Sequence, residues 1–357
     1  MRRWVERMSL NKMADQAADS SNGGMEVMTV GWYRKLVLAA MLLTLFVVVL
    51  GAYVRLSDAG LGCPDWPGCY GKLSPLHAKD QINDAMTVAP HGPVSMAKAW
   101  KEMVHRYFAS TLGGLILAIA ATAWFKRATL RQSPWLPISL VLVVVFQGLL
   151  GMWTVTLLLK PAVVTAHLIG GMTTLALLTW LLLQQRFPSP TPLQGIRAIR
   201  PYAWLALLIA CIQIVLGGWV STNYAALACA DFPTCNQSWL PSMDFDDAFH
   251  VFRELGMTAE GALLSHENLR AIHFTHRVGA VLTTLAVGAL AIKLLGHHKL
   301  KPFGWLVLAT LSCQILLGIA NVLLQLPLHL AVAHNAGAAL LLISLVIITY
   351  RLSAKEY

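Results

Sequence analysis

Charge is what this sequence most lacks. Only 12% of its 357 residues are Asp, Glu, Lys or Arg, about half the roughly 25% of an ordinary soluble domain. A soluble chain of this length needs a much larger charged surface, so a cytosolic globular enzyme, a disordered protein and a nucleic-acid-binding domain are excluded. Acids are scarcer than bases, 17 against 27, for a net charge of +10. That excess resembles a nucleic-acid signal only until the cations are placed along the chain. Cysteine is sparse as well, with six in all. What fills the chain is apolar: 57% of residues, with a mean hydropathy of +0.61. The composition describes a polytopic membrane protein.

Eight stretches carry the about 20 mostly apolar residues that a spanning helix needs. They lie near 33–55, 103–125, 135–157, 162–184, 201–221, 271–295, 303–325 and 328–350. The first is too long for a signal-peptide apolar region and no small-residue cleavage site follows it, so it reads as an uncleaved anchor. Residues 1–32 before it are polar and read as a cytoplasmic tail. The N-terminal stretch through Lys35, the loops at 126–134, 185–200 and 293–301, and the C-terminus together hold 17 of the 27 Lys and Arg. The positive-inside rule therefore puts both termini in the cytoplasm and turns the loops at 56–101 and 222–270 outward. The expected compartment is the plasma (inner) membrane of a bacterium.

The chain repeats itself. Cys63-Pro-Asp-Trp-Pro-Gly-Cys69 and Cys229-Ala-Asp-Phe-Pro-Thr-Cys235 share the pattern C-x-D-x-P-x-C at an offset of 166. Phe146-Gln-Gly-Leu-Leu-Gly matches Cys313-Gln-Ile-Leu-Leu-Gly, and Thr165-Ala-His matches Val332-Ala-His, both at 167. Glu102-Met-Val-His-Arg matches His273-Phe-Thr-His-Arg at 171. Four spans return a chain to its starting side, so the expected fold is an all-α membrane protein of eight transmembrane helices. They form two four-helix bundles in parallel repeat, related by an axis along the membrane normal. The halves are 33–184 and 201–351, joined by a cytoplasmic linker at 185–200 and followed by a short tail at 352–357.

Ionisable groups in the hydrocarbon region are costly and mark function. Four of the 12 histidines, His105, His167, His276 and His334, occupy matched positions, each within about two turns of the outward end of an even-numbered span. Two helical histidines facing a pocket inside a four-helix unit can ligate a heme iron. The competing reading is four core histidines joining helices by hydrogen bonds. Small residues near them, Gly113, Gly114, Gly170, Gly171, Gly279 and Gly337, would let a flat macrocycle or another helix approach. Arg106 and Arg277 follow their histidines directly. They fit two roles, pairing with heme propionates or snorkelling to headgroups. The repeat fails at one telling place: Glu102 in the first half stands where the second has His273. A carboxylate one turn from a ligand candidate suggests a substrate site in the first half and a cofactor site in the second; a helix-start acid favourable to the dipole is the alternative.

Cys63/Cys69 and Cys229/Cys235 lie in outward loops, where disulfides are permitted. Their spacing is wider than a usual zinc pair, leaving a structural staple or a redox relay. Cys211 and Cys313 fall inside spans and read as buried apolar residues. Gln147 and Gln314, matched across the repeat, read as inter-helix hydrogen-bonding groups.

Taken together, Glu102-Met-Val-His105-Arg, Ala166-His167, His273-x-x-His276-Arg, Ala333-His334 and the Cys63–Cys69 loop resemble the heme A synthase family, over about residues 33–351. The resemblance implies that the C8 methyl of heme O, a farnesylated heme, is oxidised to a formyl group by two successive hydroxylations and dehydration. It further implies that His276 and His334 hold a permanent heme b, that His105 and His167 surround heme O, and that Glu102 is the family's essential carboxylate. Cys63 and Cys69 match the family's first-loop pair; the second pair, Cys229 and Cys235, is one that many members lack. Implied partners are heme O synthase as supplier, a membrane electron carrier, and cytochrome oxidase assembly as recipient, with no nucleic acid. Two rivals use the same histidines: a bis-histidine diheme cytochrome passing electrons from a quinol to an extracytoplasmic acceptor, and a heme exporter.

Overall fold

The computed structural model describes residues 2–187 and 195–353, with side chains from residue 28 onward. Residues 188–194 of the linker and 354–357 of the C-terminal tail lie outside the described residues. Ten α-helices account for the described fold: α1 (Arg2–Leu56), α2 (Lys79–Val88), α3 (Met96–Phe125), α4 (Arg127–Leu130), α5 (Trp135–Thr156), α6 (Pro161–Arg186), α7 (Ile196–Thr222), α8 (His266–Leu295), α9 (Lys301–Leu323) and α10 (Leu328–Leu352). Eight are long and apolar enough to cross a membrane: all but α2 and α4, with α1 contributing its Met28–Leu56 part. The backbone of residues 2–27 continues α1, where the sequence suggested only a polar tail.

The spans start earlier than hydropathy alone suggests on the loop side. Ser95 accepts the Lys98 N–H at the start of α3, and Ser265 forms a capping box with Asn268 at the start of α8. Such caps satisfy the orphan N–H groups of a first turn. They let α3 and α8 project a polar first turn beyond the apolar run, which places Glu102 and His273 inside the helices. Pro161 at the first position of α6 presets its φ in the same way.

Helices α1, α3, α5 and α6 pack as a ring of neighbours, and α7, α8, α9 and α10 form a second ring. Helix α1 lies against α10, and α6 against both α7 and α10, which joins the rings. Each ring has its own apolar core: Ile116, Leu140 and Leu178 in the first, Leu290, Val307 and Leu345 in the second. A third cluster, including Met172, Leu175, Leu342 and Val346, fills the join. Leucines such as Leu142, Leu285 and Leu316 are more than half exposed, as a lipid-facing surface requires, because in a membrane only the backbone must be satisfied internally. Cys211 and Cys313, expected to be buried, are exposed. They sit on outward faces of α7 and α9, where hydrocarbon rather than protein covers an apolar thiol.

The loops following α1 and α7 lie at the same end of the molecule. Arg55 Nη2 donates to the Ser221 carbonyl at 3.0 Å, and Tyr224 OH to Asp58 at 2.9 Å. Thr165 and Thr222 hydroxyls meet at 3.2 Å beneath them. At the other end Tyr350 OH donates to the Phe187 carbonyl, 2.5 Å away.

Candidate functional site

The loops following α1 and α7 are each a small disulfide-closed knot. Cys63–Cys69 and Cys229–Cys235 are both bonded, with Sγ–Sγ distances of 2.06 and 2.01 Å. Within each knot the shared aspartate ties down the turn. Asp65 accepts the Tyr70 and Gly71 N–H groups at 2.6 and 2.7 Å, and Asp231 those of Asn236 and Gln237 at 2.5 and 2.8 Å. The Thr234 hydroxyl and these amides hold the Asp231 carboxyl down at about 2. Both prolines, Pro67 and Pro233, follow cis peptide bonds.

The knots are bolted to the helices by the arginines that follow the histidines. Arg106 Nη1 donates to the carbonyls of Asp65, Pro67 and Gly68 at 2.8, 3.3 and 2.5 Å. Arg277 donates to Thr234, Asp231 and Cys229 carbonyls at 2.7, 2.7 and 3.1 Å. Both guanidinium groups are thus spent on loop backbone, a use that the sequence reading did not consider for either.

Glu102 and His273 occupy the same place in this clamp. Glu102 Oε2 accepts the Cys63 N–H at 2.9 Å, and Oε1 pairs with Arg106 Nη2 at 2.5 Å. In the second half the Cys229 N–H points at His273 Nδ1, and Arg277 Nε at His273 Nε2, both at 3.3 Å. A neutral imidazole has one acceptor nitrogen, so His273 answers only one of its two donors. The carboxylate answers both. Each is buried, at 4% and 5% exposure.

One turn deeper lie the four matched histidines. His105 on α3 and His167 on α6 belong to the first ring, and His276 on α8 and His334 on α10 to the second. In both rings these are the helices that face each other diagonally. Nδ1 of His105, His167 and His334 is buried with no hydrogen-bond partner. Buried polar atoms are normally paired, and an unpaired one costs about 1–3 kcal/mol. Three such nitrogens at matched places are what side chains shaped for a ligand would leave.

Each ring is seated against a glycine of the preceding span. A methyl group added at Gly51, Gly151, Gly217 or Gly318 would lie 3.0, 3.4, 3.1 or 3.1 Å from Cε1 of His105, His167, His276 or His334. These are not the glycines suggested by the sequence. Gly113 faces Val144, Gly171 faces Val48, and Gly114 meets nothing within 4 Å. Gly170, Gly279 and Gly337 form notches filled by the side chains of Gln147, Gln213 and Gln314. Gln213 Nε2 reaches His276 Nδ1 and its carbonyl, both at 3.0 Å, and Gln314 Nε2 reaches His334 Nε2 at 3.3 Å. Gln213 was missed in the sequence because its repeat-matched residue is Val47. Two of the four ring-seating glycines were legible: Gly151 and Gly318 end the matched strings that begin at Phe146 and Cys313.

Comparison with known proteins agrees with this geometry. Residues 34–346 match the family described as COX15-CtaA, cytochrome oxidase assembly protein. The heme A synthase of Shewanella oneidensis is 43% identical over 318 residues, which cover 88% of this chain and 94% of that protein. The heme A synthase of Rhizorhabdus wittichii is 29% identical over 319 residues, 84% of this chain and 88% of its own. That of Halalkalibacterium halodurans is 29% identical over 268 residues, 71% and 84% respectively. With eight spans, two histidine pairs and a match running nearly from end to end, this chain belongs to the COX15-CtaA family of cytochrome oxidase assembly proteins.

Proposed function

We propose that this chain is a multi-pass membrane oxidoreductase that converts heme O to heme A, oxidising the C8 methyl to a formyl group through two hydroxylations and loss of water. The product serves cytochrome oxidase assembly. Full-length similarity to heme A synthases supports the activity, and the observation that carries the division of labour is the Glu102/His273 exchange in otherwise equivalent clamps. The halves are then two units with different tasks. Residues 33–184 take the substrate and residues 201–351 hold the cofactor.

His276 and His334 would hold heme b; the unpartnered His334 nitrogen fits an iron ligand. The Gln213 and Gln314 carboxamides beside the rings, whose Oε1 atoms have no partner, would turn those oxygens to accept the ring N–H that ligation leaves. When bound, that heme supplies a one-electron redox centre, while the protein contributes position and electrostatics. His105 and His167 would bind the substrate across the first ring. Glu102, one turn from His105 on the same face, is placed to take and return protons as the alcohol and diol form. Arg106 fixes that carboxylate while anchoring the first loop; Arg277 anchors the second. This use of the arginines replaces propionate pairing.

Both termini then face the cytoplasm and the loops face outward across a bacterial inner membrane. Heme O synthase delivers substrate and a membrane carrier exchanges the electrons. Extracting pigments after expression with and without heme O synthase tests the proposal. Formyl-heme that appears only with the synthase is the expected result; heme b alone in both cultures would leave an electron-transfer or transport protein instead.

A further inference from the structure

Three of the four histidine helix pairs share a packing motif that the fourth lacks. In two of them, at Gln213 and Gln314, the carboxamide also contacts the histidine ring, whereas the Gln147 amide nitrogen is buried without a partner. On the preceding span stands Gln-x-x-x-Gly, at Gln147–Gly151, Gln213–Gly217 and Gln314–Gly318; on the histidine span stands His-x-x-Gly. In all three the glycine four residues past the glutamine seats the histidine ring, and the glutamine fills the notch at the second glycine. The α1–α3 pair keeps the ring seat, Gly51 against His105, but has Val47 for the glutamine and Phe108 for the notch glycine. Val47 is buried, whereas Phe108 turns outward and meets Phe46 of α1 edge to face, with ring centroids 4.9 Å apart. Both rings are more than a third exposed on the membrane-facing surface. His105 thus has no carboxamide beside it; the polar contact between α1 and α3 is the Lys101 ammonium over the Tyr53 ring, 4.9 Å from its centroid and one turn toward the loop end.

A polar contact between membrane helices and a glycine notch both bind helices together, and outer hydrogen-bond partners of a ligating histidine strengthen ligand retention about 10–100-fold. A cofactor site benefits from both. A substrate site must release its product at every turnover, and a prenylated heme carries a long apolar tail that needs an apolar, lipid-continuous path. We propose that the α1–α3 seam is the passage through which the prenylated substrate reaches the first ring, with His105 the iron ligand that exchanges and the Phe46–Phe108 pair the surface on which the isoprenoid tail lies. The inference rests on the proposal that the first half takes the substrate.

The test uses purified full-length protein in lipid nanodiscs, loaded with heme O or with tail-less heme b. Transfer to excess apomyoglobin is followed by absorbance. Wild type should show a fast and a slow phase, with heme O favoured over heme b in competition for the fast site. Rebuilding the tie with Val47→Gln plus Phe108→Gly should slow the fast phase by about tenfold or more and erase the preference for heme O, with the slow phase unchanged. Phe46→Ala, a milder change, should reduce the preference alone. Removing a tie with Gln213→Val should speed the slow phase by about tenfold. His105→Ala should abolish the fast phase; if it does not, the first-half substrate site itself is wrong. If His105→Ala abolishes it but the rebuilt tie and Phe46→Ala leave exchange and preference at wild-type values, the substrate site stands and the α1–α3 passage is overturned.

Discussion

The two outer knots are built alike and held differently. In both, a disulfide closes a C-x-D-x-P-x-C loop, an aspartate ties the turn, and an arginine grips three loop carbonyls. The residue beneath is Glu102 in one and His273 in the other, and both accept from the first cysteine N–H. A clamp with the same outline therefore forms without an acid. A buried carboxylate in a membrane protein is costly, so its presence on one side only is best explained by something the second half does not do. The histidines repeat that lesson. All four rings sit on a glycine, but only three have a glutamine beside them, and the exception is the one nearest Glu102.

The sharpest way to break the symmetry is at the second pair. His276→Ala or His334→Ala should remove most of the low-spin heme b spectrum, while His105→Ala or His167→Ala should leave it largely intact; absorbance of the purified proteins at matched concentration reads this directly. Next in size is the ring seat. Gly318→Ala places a methyl 3.1 Å from the His334 ring, and overpacking of this kind costs about 1–3 kcal/mol. Lowered heme b content is expected, with Gly151→Ala, whose methyl would meet the first-half His167 at 3.4 Å, leaving heme b near the wild-type level. Smaller still is the arginine clamp. Arg106→Lys cannot reproduce the fork of contacts to three carbonyls, so the Cys63–Cys69 bond should become reducible a few-fold faster in thiol-trapping mass maps, with Cys229–Cys235 unchanged. The smallest effect concerns Asp231. Its folded carboxyl is held at about 2, below the ordinary aspartate value of 3.8, so its contribution to the second loop is present above about pH 4 and is lost as pH falls toward 2. Asp231→Asn should flatten that pH dependence of loop proteolysis.

Much of this was legible beforehand. Eight apolar runs marked the eight long helices, and the offset of 166–167 singled out the four histidines that the fold sets two to each ring, because hydrophobic length and repeated polar exceptions are local properties of a chain. The loop clamps were not legible. Arg106 grips carbonyls about 40 residues away, and nothing in its own neighbourhood announces a backbone acceptor. Gln213 escaped for another reason: a search for matched pairs cannot see a residue whose partner has become Val47. Gly151 and Gly318 stood inside the repeated strings, but choosing Gly217 over Gly279 needs the rotation of one helix against another.

The claim that the acid, and not the clamp, distinguishes the first half is tested most directly by giving that half the second half's residue. Glu102→His should rebuild a His273-like contact to the Cys63 N–H, preserving the Cys63–Cys69 disulfide and the heme b spectrum. The pigments extracted from cells making heme O should nevertheless shift from heme A to heme O or its hydroxylated form, because an imidazole beside the Arg106 guanidinium takes up a second positive charge poorly and so replaces the carboxylate base badly, a loss of about 10²–10⁴-fold in rate. A wild-type ratio of heme A to heme O at matched protein level would show that Glu102 only holds the loop.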